Sequence, residues 1–567
     1  MLIREIRGKK TYFAKTFCLN TPFLPGRIYK ILFTLLGLVY IIGLFAPLMD
    51  TDSAHHANIA LHMYLTGDYV SLVDHAGDYL DKPHLHFWLC AFSYKIFGVT
   101  TFAYKLPSFL FTILGIYSTY RIGKALYNAE VGKLSALILA SSFAFMLANN
   151  DVRMDAILTA CIAFSIWQLV EFVQHKKLLN IAGTALGLAL GFSTKGHIAV
   201  FVPTVAVLFY ILYRKEWKLF LNWKWLLLLV LFGLFITPVL YCYYLQFNRH
   251  PETMVRGKDH INGLKFILLD QSVDRFSGTT GDKSKHDYFF FLHSFLWAFA
   301  PWSILAYIAV AGRIKNFMSR REEWLTAGVF LIMLIIVSLS GFKLPHYLNI
   351  VFPTSSALLA AFIIQKKENV KWIKTIFIVQ LIVVGLLLLS GAVINAWAFP
   401  VKSSWVIAGL ILLLAVVFYF IKSAAYDRLQ KAVAVSAAAM IFSFFLLNSN
   451  FYPELLKYQG GKQMADSIKG KLYPRDVYFW KNTFSSSFNF YSRSLYKEFT
   501  DSVLQSGKKL WLIYDIRDEE EIKKSGYQLG QRFSVVDYEV TKLDIKFVNP
   551  ATREKQCSMM MLAELGR

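Results

Sequence analysis

The segment "DTDSAHHANIALHMYLTGDYVSLVDHAGDYLDKPHLHFW" (residues 50–88) concentrates acid, base and imidazole groups beside apolar runs, and Asp52 stands near its start. Ile59, Ala60, Met63 and Tyr64 recur after it at helical spacing, which predicts a short helix lying in a membrane interface. The dipole of such a helix favours an ionised carboxylate at its N-terminal end, and a fixed carboxylate at the mouth of a cavity suits a general base. Asp and Ser are also favoured as N-caps whatever the function, so both readings of Asp52 stand at this point. "YLDKP" (Tyr79 to Pro83) sets Asp81 and Lys82 side by side before an aromatic run. Lys82 either anchors a phosphate as a point charge or snorkels to headgroups as an interfacial lysine.

Four further segments offer ionisable groups at the ends of apolar runs. "NNDVRMDAILTA" spaces Asp151 and Asp155 four apart, on one face of an expected helix that begins near 153. They line a cavity, or Asp151 simply caps the helix; Asp155, a turn deeper, is harder to explain as a cap. "GFSTKGHIAVFVP" puts Lys195 and Gly196 at a break between helices, which suits an anionic ligand or a plain turn equally. "FILLDQSVDRFSGTTGDKSKHDYFFF" carries Gln271, Arg275 and His286, and "SGFKLPHYLNIVFP" carries Lys343, His346 and Tyr347. A lone histidine on an aromatic boundary is more often a hydrogen-bonder than a ligand. Cys18, Cys90, Cys161, Cys242 and Cys557 have no paired spacing, so neither a disulfide framework nor a zinc motif is expected.

The elements that position these groups are membrane helices. The chain has 567 residues, 56% hydrophobic and 17% charged, and a soluble domain rarely tolerates so little charge. Its Lys and Arg outnumber Asp and Glu by 60 to 37; in a membrane protein their distribution matters more than the sum, and nucleic-acid binding is not expected. A span needs about 20 apolar residues, which gives about thirteen: near 29–49, 102–123, 131–150, 153–173, 178–194, 197–213, 224–246, 288–311, 324–341, 346–364, 372–390, 403–421 and 429–448. The basic N-terminus (Arg4, Arg7, Lys9, Lys10, Lys15 and Arg27 against Glu5) precedes an apolar run without a small-residue cleavage site, and predicts an uncleaved first helix with a cytoplasmic start.

Alternate loops should then be rich in Lys and Arg. They are: Arg121, Lys124 and Lys133; Lys176 and Lys177; Arg214, Lys215 and Lys218; Arg313, Lys315, Arg320 and Arg321; Lys366 and Lys367; Lys422, Arg428 and Lys431. None of the candidate site residues fixes this parity, yet Asp52, Asp81, Lys82, Asp151, Asp155, Lys195, His197, Lys343 and His346 all fall at the outer boundary. Residues 50–101 and 247–287 form long outer loops, a length usually tied to function. From residue 449 the composition turns polar, and "KLWLIYDI" before "RDEEEIKK" reads as a buried strand leading into a helix. The expected organisation is an all-α polytopic membrane domain over 1–448 and a small α/β domain over 449–567 outside the membrane.

Taken in order, "GDY" (Gly67 to Tyr69), "YLDKPHLHFW", "KLPS" (Lys105 to Ser108), "RMDAILT", "STKGHIAVFVP", "DQSVDRF", "FAPWS" (Phe299 to Ser303) and "KLPHYLNIVFP", after the Asp that follows the first span, resemble bacterial membrane glycosyltransferases. That family includes the aminoarabinose transferases of lipid A and, more distantly, the protein O-mannosyltransferases. The resemblance covers roughly residues 25–365. It implies a C-type glycosyltransferase fold and inverting transfer of a sugar from a polyprenyl-phosphate carrier to a lipid, protein or glycan acceptor outside the bacterial inner membrane. Carried across, Asp52 is the catalytic base and Lys82 holds the donor phosphate. Lys195, Asp155 and Tyr347 line the donor site, with His55, His56, Tyr79, Arg275, Lys343 and His346 in the substrate cavity. Asp81 with His286 corresponds to a peripheral divalent-metal site of some relatives. Ser53 stands where the family often has a second acid, His55 and His56 replace a basic and an aromatic residue, and His84 replaces a proline; acceptor and sugar are therefore not transferred from the family. A transporter or flippase of lipid-linked sugars would also need many spans and a charged cavity, but would show inverted repeats and polar residues near mid-bilayer. A non-catalytic scaffold would leave the Asp52 to Lys82 segment unexplained.

Overall fold

A computed structural model describes residues 22–566 apart from 76, 153, 256, 272, 275–286, 317–321, 474–475, 482 and 507–508. The helices that carry the argument are α1 (Gly26–Leu44), α2 (Asp52–Thr66), α3 (Leu85–Phe97), α4 (Thr101–Leu126), α5 (Ala129–Ala140), α6 (Phe143–Asn150), α7 (Asp155–His175), α8 (Leu178–Lys195), α9 (Ile198–Arg214) and α10 (Lys224–Tyr243). They continue with α11 (Phe290–Ala298), α12 (Ser303–Lys315), α13 (Leu325–Leu339), α14 (Phe352–Gln365), α15 (Val370–Ala392), α16 (Ser404–Lys422) and α17 (Arg428–Leu446). Among the described residues seven segments are long and apolar enough to cross a membrane, or eight if the bent pair α5–α6 is one span; α9 and α13 are apolar but shorter.

Helix–helix approach rests on small residues, as expected where lipid leaves no hydrophobic drive for association. A Cβ on Gly132 of α5 would lie 2.5 Å from the Tyr120 carbonyl of α4, and one on Gly115 of α4 would meet Ala160 of α7 at 3.3 Å. The helix ends are tied by polar contacts in two groups. At one end the Phe23 amide donates to Glu130, the Gln430 side chain to the Phe23 carbonyl, Gln174 to the Ala125 carbonyl, and Lys224 to the Lys176 carbonyl. Lys176 pairs with Glu216, and buried Arg313 pairs with Glu322 and Glu323. These are the loops the basic residues mark in the sequence. At the other end the buried Lys105 amine donates to the carbonyls of Gly43 and Ala46, capping α1, and Asn450 donates to the Phe399 carbonyl.

That second end also carries the C-terminal residues. It holds the helices α18 (Gly460–Ile468), α19 (Ser486–Ser492) and α20 (Glu519–Lys524), single helical turns such as Tyr452–Leu455 and Ile545–Val548, and strands. Besides a small hairpin, β1 (Val73–Asp74) with β2 (Gly77–Asp78), a five-stranded sheet runs β4 (Lys497–Glu498), β3 (Val477–Phe479), β5 (Leu510–Asp515), β7 (Ser558–Gly566), β6 (Gln528–Asp537). β3 is parallel to β4 and β5; β7 is antiparallel to β5 and β6. The "KLWLIYDI" run is the central strand β5, and its residues alternate between two cores, with Trp511 and Ile513 on one face and Leu510, Leu512 and Tyr514 on the other. Burial on both faces is why the run is continuously apolar.

Three expectations change. The predicted span 131–150 is two helices bent by 54°, and 288–311 is interrupted between α11 and α12 at residues 299–302. The helix after Arg153 begins at Asp155 with Met154 before it at φ 71°, so Asp151 neither caps it nor shares a face with Asp155. Asp151 instead follows the last turn of α6. Finally, α2 is not a helix lying open in an interface: Ser53, Ala54, the run from His56 to Leu61, and Met63 are buried, and α2 packs in one core with α3 and with Phe490 of α19.

Candidate active site

Helix ends bring the central groups together. Asp155 is the first residue of α7 and Lys195 the last of α8, the positions where helix dipoles favour an anion and a cation respectively. Lys195 Nζ donates to Asp155 Oδ1 at 2.7 Å, with side-chain exposures of only 8% and 4%. The 3₁₀ turn Pro345–Val351 adds His346, whose Nε2 lies 3.9 Å from Asp155 Oδ2, and Tyr347, whose ring centroid is 5.3 Å from Lys195 Nζ. A buried ammonium so held has one of its three N–H groups on Asp155 and a cation–π face on Tyr347.

Gly196 turns the chain out of α8 at φ +74°, and a Cβ there would sit 2.5 Å from Gln271 Oε1. Gln271 in turn donates to the Asp81 carbonyl at 2.7 Å, and Tyr243 OH donates to the Leu80 carbonyl at 3.1 Å. The loop carrying Lys82 is thus fixed to the Lys195 turn. His56, buried on α2 among the rings of His55, His86 and Phe87, feels the charges of both Lys82 and Lys195. Burial first, then the neighbouring His55, His86 and the two lysines, holds this imidazole well below its ordinary pKa, and among the described residues its Nδ1 has no hydrogen-bond partner. His55 pairs with Asp74 of β1 at 3.2 Å and meets the Tyr79 ring edge-on at 5.3 Å. His84 and His86 are pushed down to about 4 and about 3 by burial; they are core imidazoles, His84 bonded to the Val70 carbonyl and His86 to Tyr104 OH.

Asp52 is the first residue of α2, at the N-terminal end as expected, and its charge is felt by Tyr104. Asp155, Lys195, His346 and Tyr347 form one group; His55, His56 and Tyr79 form a second, and Gln271 ties the loop after Tyr79 to the Gly196 turn of the first. Lys343 stands apart, its Nζ 5.5 Å from the Tyr288 ring. Arg275 and His286 lie outside the described residues, so the Asp81–His286 pair has one member here, and among the described residues no group of three or more His, Cys, Asp or Glu is gathered to hold a metal. Sequence reasoning missed Asp74, the partner of His55, and Asp50, two residues before Asp52. The Asp50 carboxylate accepts from Ser487 Oγ of α19 at 2.6 Å, a pairing across 437 positions that no local pattern could reveal.

The fold and the site define a multi-pass membrane protein whose ionisable groups gather where helix ends meet. Three comparisons bear on which. A family model for dolichyl-phosphate-mannose-protein mannosyltransferase matches residues 81–242. The undecaprenyl phosphate-alpha-4-amino-4-deoxy-L-arabinose arabinosyl transferase of Pseudomonas paraeruginosa is 25% identical over 334 residues, 56% of each chain, and an uncharacterized Aquifex aeolicus protein is 24% identical over 442 residues, 77% of this chain and 80% of that one. The match to the arabinosyl transferase thus covers little more than half of its length. The crystal structure of ArnT from Cupriavidus metallidurans bound to undecaprenyl phosphate superposes with a TM-score of 0.71 at 16% identity, over 94% of this chain and 97% of that one. In sequence and in fold the chain is similar to the superfamily that joins aminoarabinose transferases and protein mannosyltransferases.

Proposed function

We propose that this chain is an inverting glycosyltransferase that takes a sugar from a polyprenyl-phosphate carrier and passes it to a hydroxyl of an envelope lipid, protein or glycan on the periplasmic face of the bacterial inner membrane. The observation that carries the reading is the buried Asp155–Lys195–His346–Tyr347 group, tied through Gln271 to the loop that carries Lys82. The names of the relatives, which are transferases and not transporters, favour it over a flippase.

Asp52 takes the proton of the acceptor hydroxyl as that oxygen attacks the anomeric carbon. The bond from that carbon to the phosphate oxygen breaks on the opposite face, and the bonding pair leaves with the polyprenyl phosphate. One carboxylate suffices, because inversion needs no covalent sugar intermediate. Lys82 and Lys195 stabilise the phosphate charge, worth several kcal/mol in a site from which water is excluded. Asp155 and Tyr347 keep Lys195 in place, and His55 and His56 belong to the wall of the substrate cavity.

The layout that goes with this reading has thirteen crossings in residues 1–448, a cytoplasmic N-terminus, periplasmic loops at 50–101 and 247–287, and a periplasmic domain over 449–567. It is supported by the two groups of tied helix ends, one made of the basic loops and the other of the site and the sheet. Mass spectrometry of envelope lipids and proteins from cells with and without the chain tests the reading. One acceptor class should lose a sugar-sized increment, and identical spectra would remove the proposal.

A further inference from the structure

Residues 48–50, which lead into α2 and Asp52, are held from the C-terminal part of the chain by four hydrogen bonds. The Leu48 amide donates to Tyr491 OH at 2.8 Å, and the Asp50 amide to Gln459 Oε1 at 2.8 Å. Gln459 Nε2 donates back to the Leu48 carbonyl at 3.1 Å, and Ser487 Oγ donates to Asp50 Oδ2 at 2.6 Å. Three of these bonds read backbone groups of the loop, so they fix its path and not merely one side chain.

The latch is itself tightly supported. Ser487 is fully buried, and its hydroxyl sits against Gly461 of α18 so closely that a Cβ there would come within 2.2 Å of it. The next turn of α19 places Phe490 among the rings of Tyr94 and Tyr104, at 6.2 and 6.5 Å, in the core that also holds Ala54 and Ala57 of α2. His75, in the hairpin that supplies Asp74 to His55, stacks on Phe484 at 4.2 Å and 12°. The C-terminal unit therefore touches the Asp52 segment through its loop, its helix and its hairpin.

We propose that Ser487, Tyr491 and Gln459 are positioning residues, which latch the C-terminal unit onto residues 48–50 and thereby fix where the Asp52 carboxylate stands. None of the three touches substrate; each acts through the loop. Its catalytic consequence rests on the glycosyl-transfer reading above, whereas the latch itself does not.

Two small substitutions in the full chain, reconstituted in nanodiscs, separate these claims. Ser487→Ala and Tyr491→Phe each remove one polar atom, and Ser492→Ala, whose hydroxyl bonds within α19 to the Phe488 carbonyl, is the control. Hydrogen exchange of the amides at 48–56 should rise in the first two and not in the control. Turnover should fall by about ten- to a hundred-fold, the scale of a catalytic group displaced by about 1 Å, while KM for the lipid-linked donor stays within about two-fold. Unchanged exchange overturns the latch whatever the activity, and raised exchange with unchanged turnover overturns its positioning role. A wild-type chain with no transfer activity strikes only at the functional reading, and the exchange result then still decides whether the latch exists.

Discussion

The Lys195–Asp155 pair shows how far single residues carry the account. Both side chains are almost fully enclosed, so removing one leaves the other charge without its partner in a poorly solvated place. Lys195→Met should cost about 3–5 kcal/mol, the usual penalty for breaking a buried pair from one side, read as a lowered thermal midpoint. Lys195→Met with Asp155→Asn should recover most of that stability but not transfer, which separates the structural from the chemical role of the lysine. Lys82→Ala should mainly weaken donor use, seen as a raised KM. These residues were legible because ionisable groups at the ends of apolar runs are conspicuous. Their partners were less so: nothing in the local pattern ties His55 to Asp74 or Asp50 to Ser487, since such contacts are made by folding and not by spacing. Asp151 misled because four-residue spacing implies a shared helix face only when both residues are in the helix, and α7 starts at Asp155.

At the scale of elements, the turn between α8 and α9 links the two lysines. Gly196 has φ +74° and ψ −147°, a conformation essentially confined to glycine, where a side chain costs about 1–3 kcal/mol, and its missing Cβ leaves room for Gln271. Gly196→Ala should therefore push Gln271 off the Asp81 carbonyl and loosen the Lys82 loop. The expected result is a KM for donor raised by several-fold with the chain still folded, measured alongside Gln271→Ala, which should give a similar KM. Most helices were readable from length, apolarity and the alternation of basic loops. The interruptions at 141–142 and 299–302 were not, because an apolar run has the same composition whether it is straight or bent. The buried character of α2 was likewise hidden, since the surfaces that cover it come from residues 85–97 and 486–492.

For the whole molecule, the C-terminal unit packs on the segment that leads into Asp52, and its docking should be sensitive to pH. Burial pushes the Asp50 carboxyl up to about 7; the Ser487 hydroxyl and His55 oppose the rise, and Asp537 adds to it. In an unfolded chain the same group titrates near about 4. With the folded value raised, its favourable contribution is complete below about pH 4 and is lost as pH rises through about 7. Asp50→Asn cannot titrate, so the wild-type thermal midpoint should fall relative to that variant between about pH 4 and about pH 7 and then level off. A constant difference between the two would mean that Asp50 does not change its protonation in this window. Of the sheet, only the central strand β5 was legible, as a buried apolar run; the docking on the Asp52 segment was not, because it joins residues more than 400 positions apart.

The central claim is that Asp52 acts as a base in glycosyl transfer, and the measurement that meets it most directly is the sugar-sized mass carried by envelope acceptors in cells making either the wild-type chain or Asp52→Asn at equal membrane levels. Loss of that mass, by at least about a hundred-fold, in a variant that still inserts with an unchanged thermal midpoint is the result predicted. Retention of the mass at near wild-type levels would contradict the account.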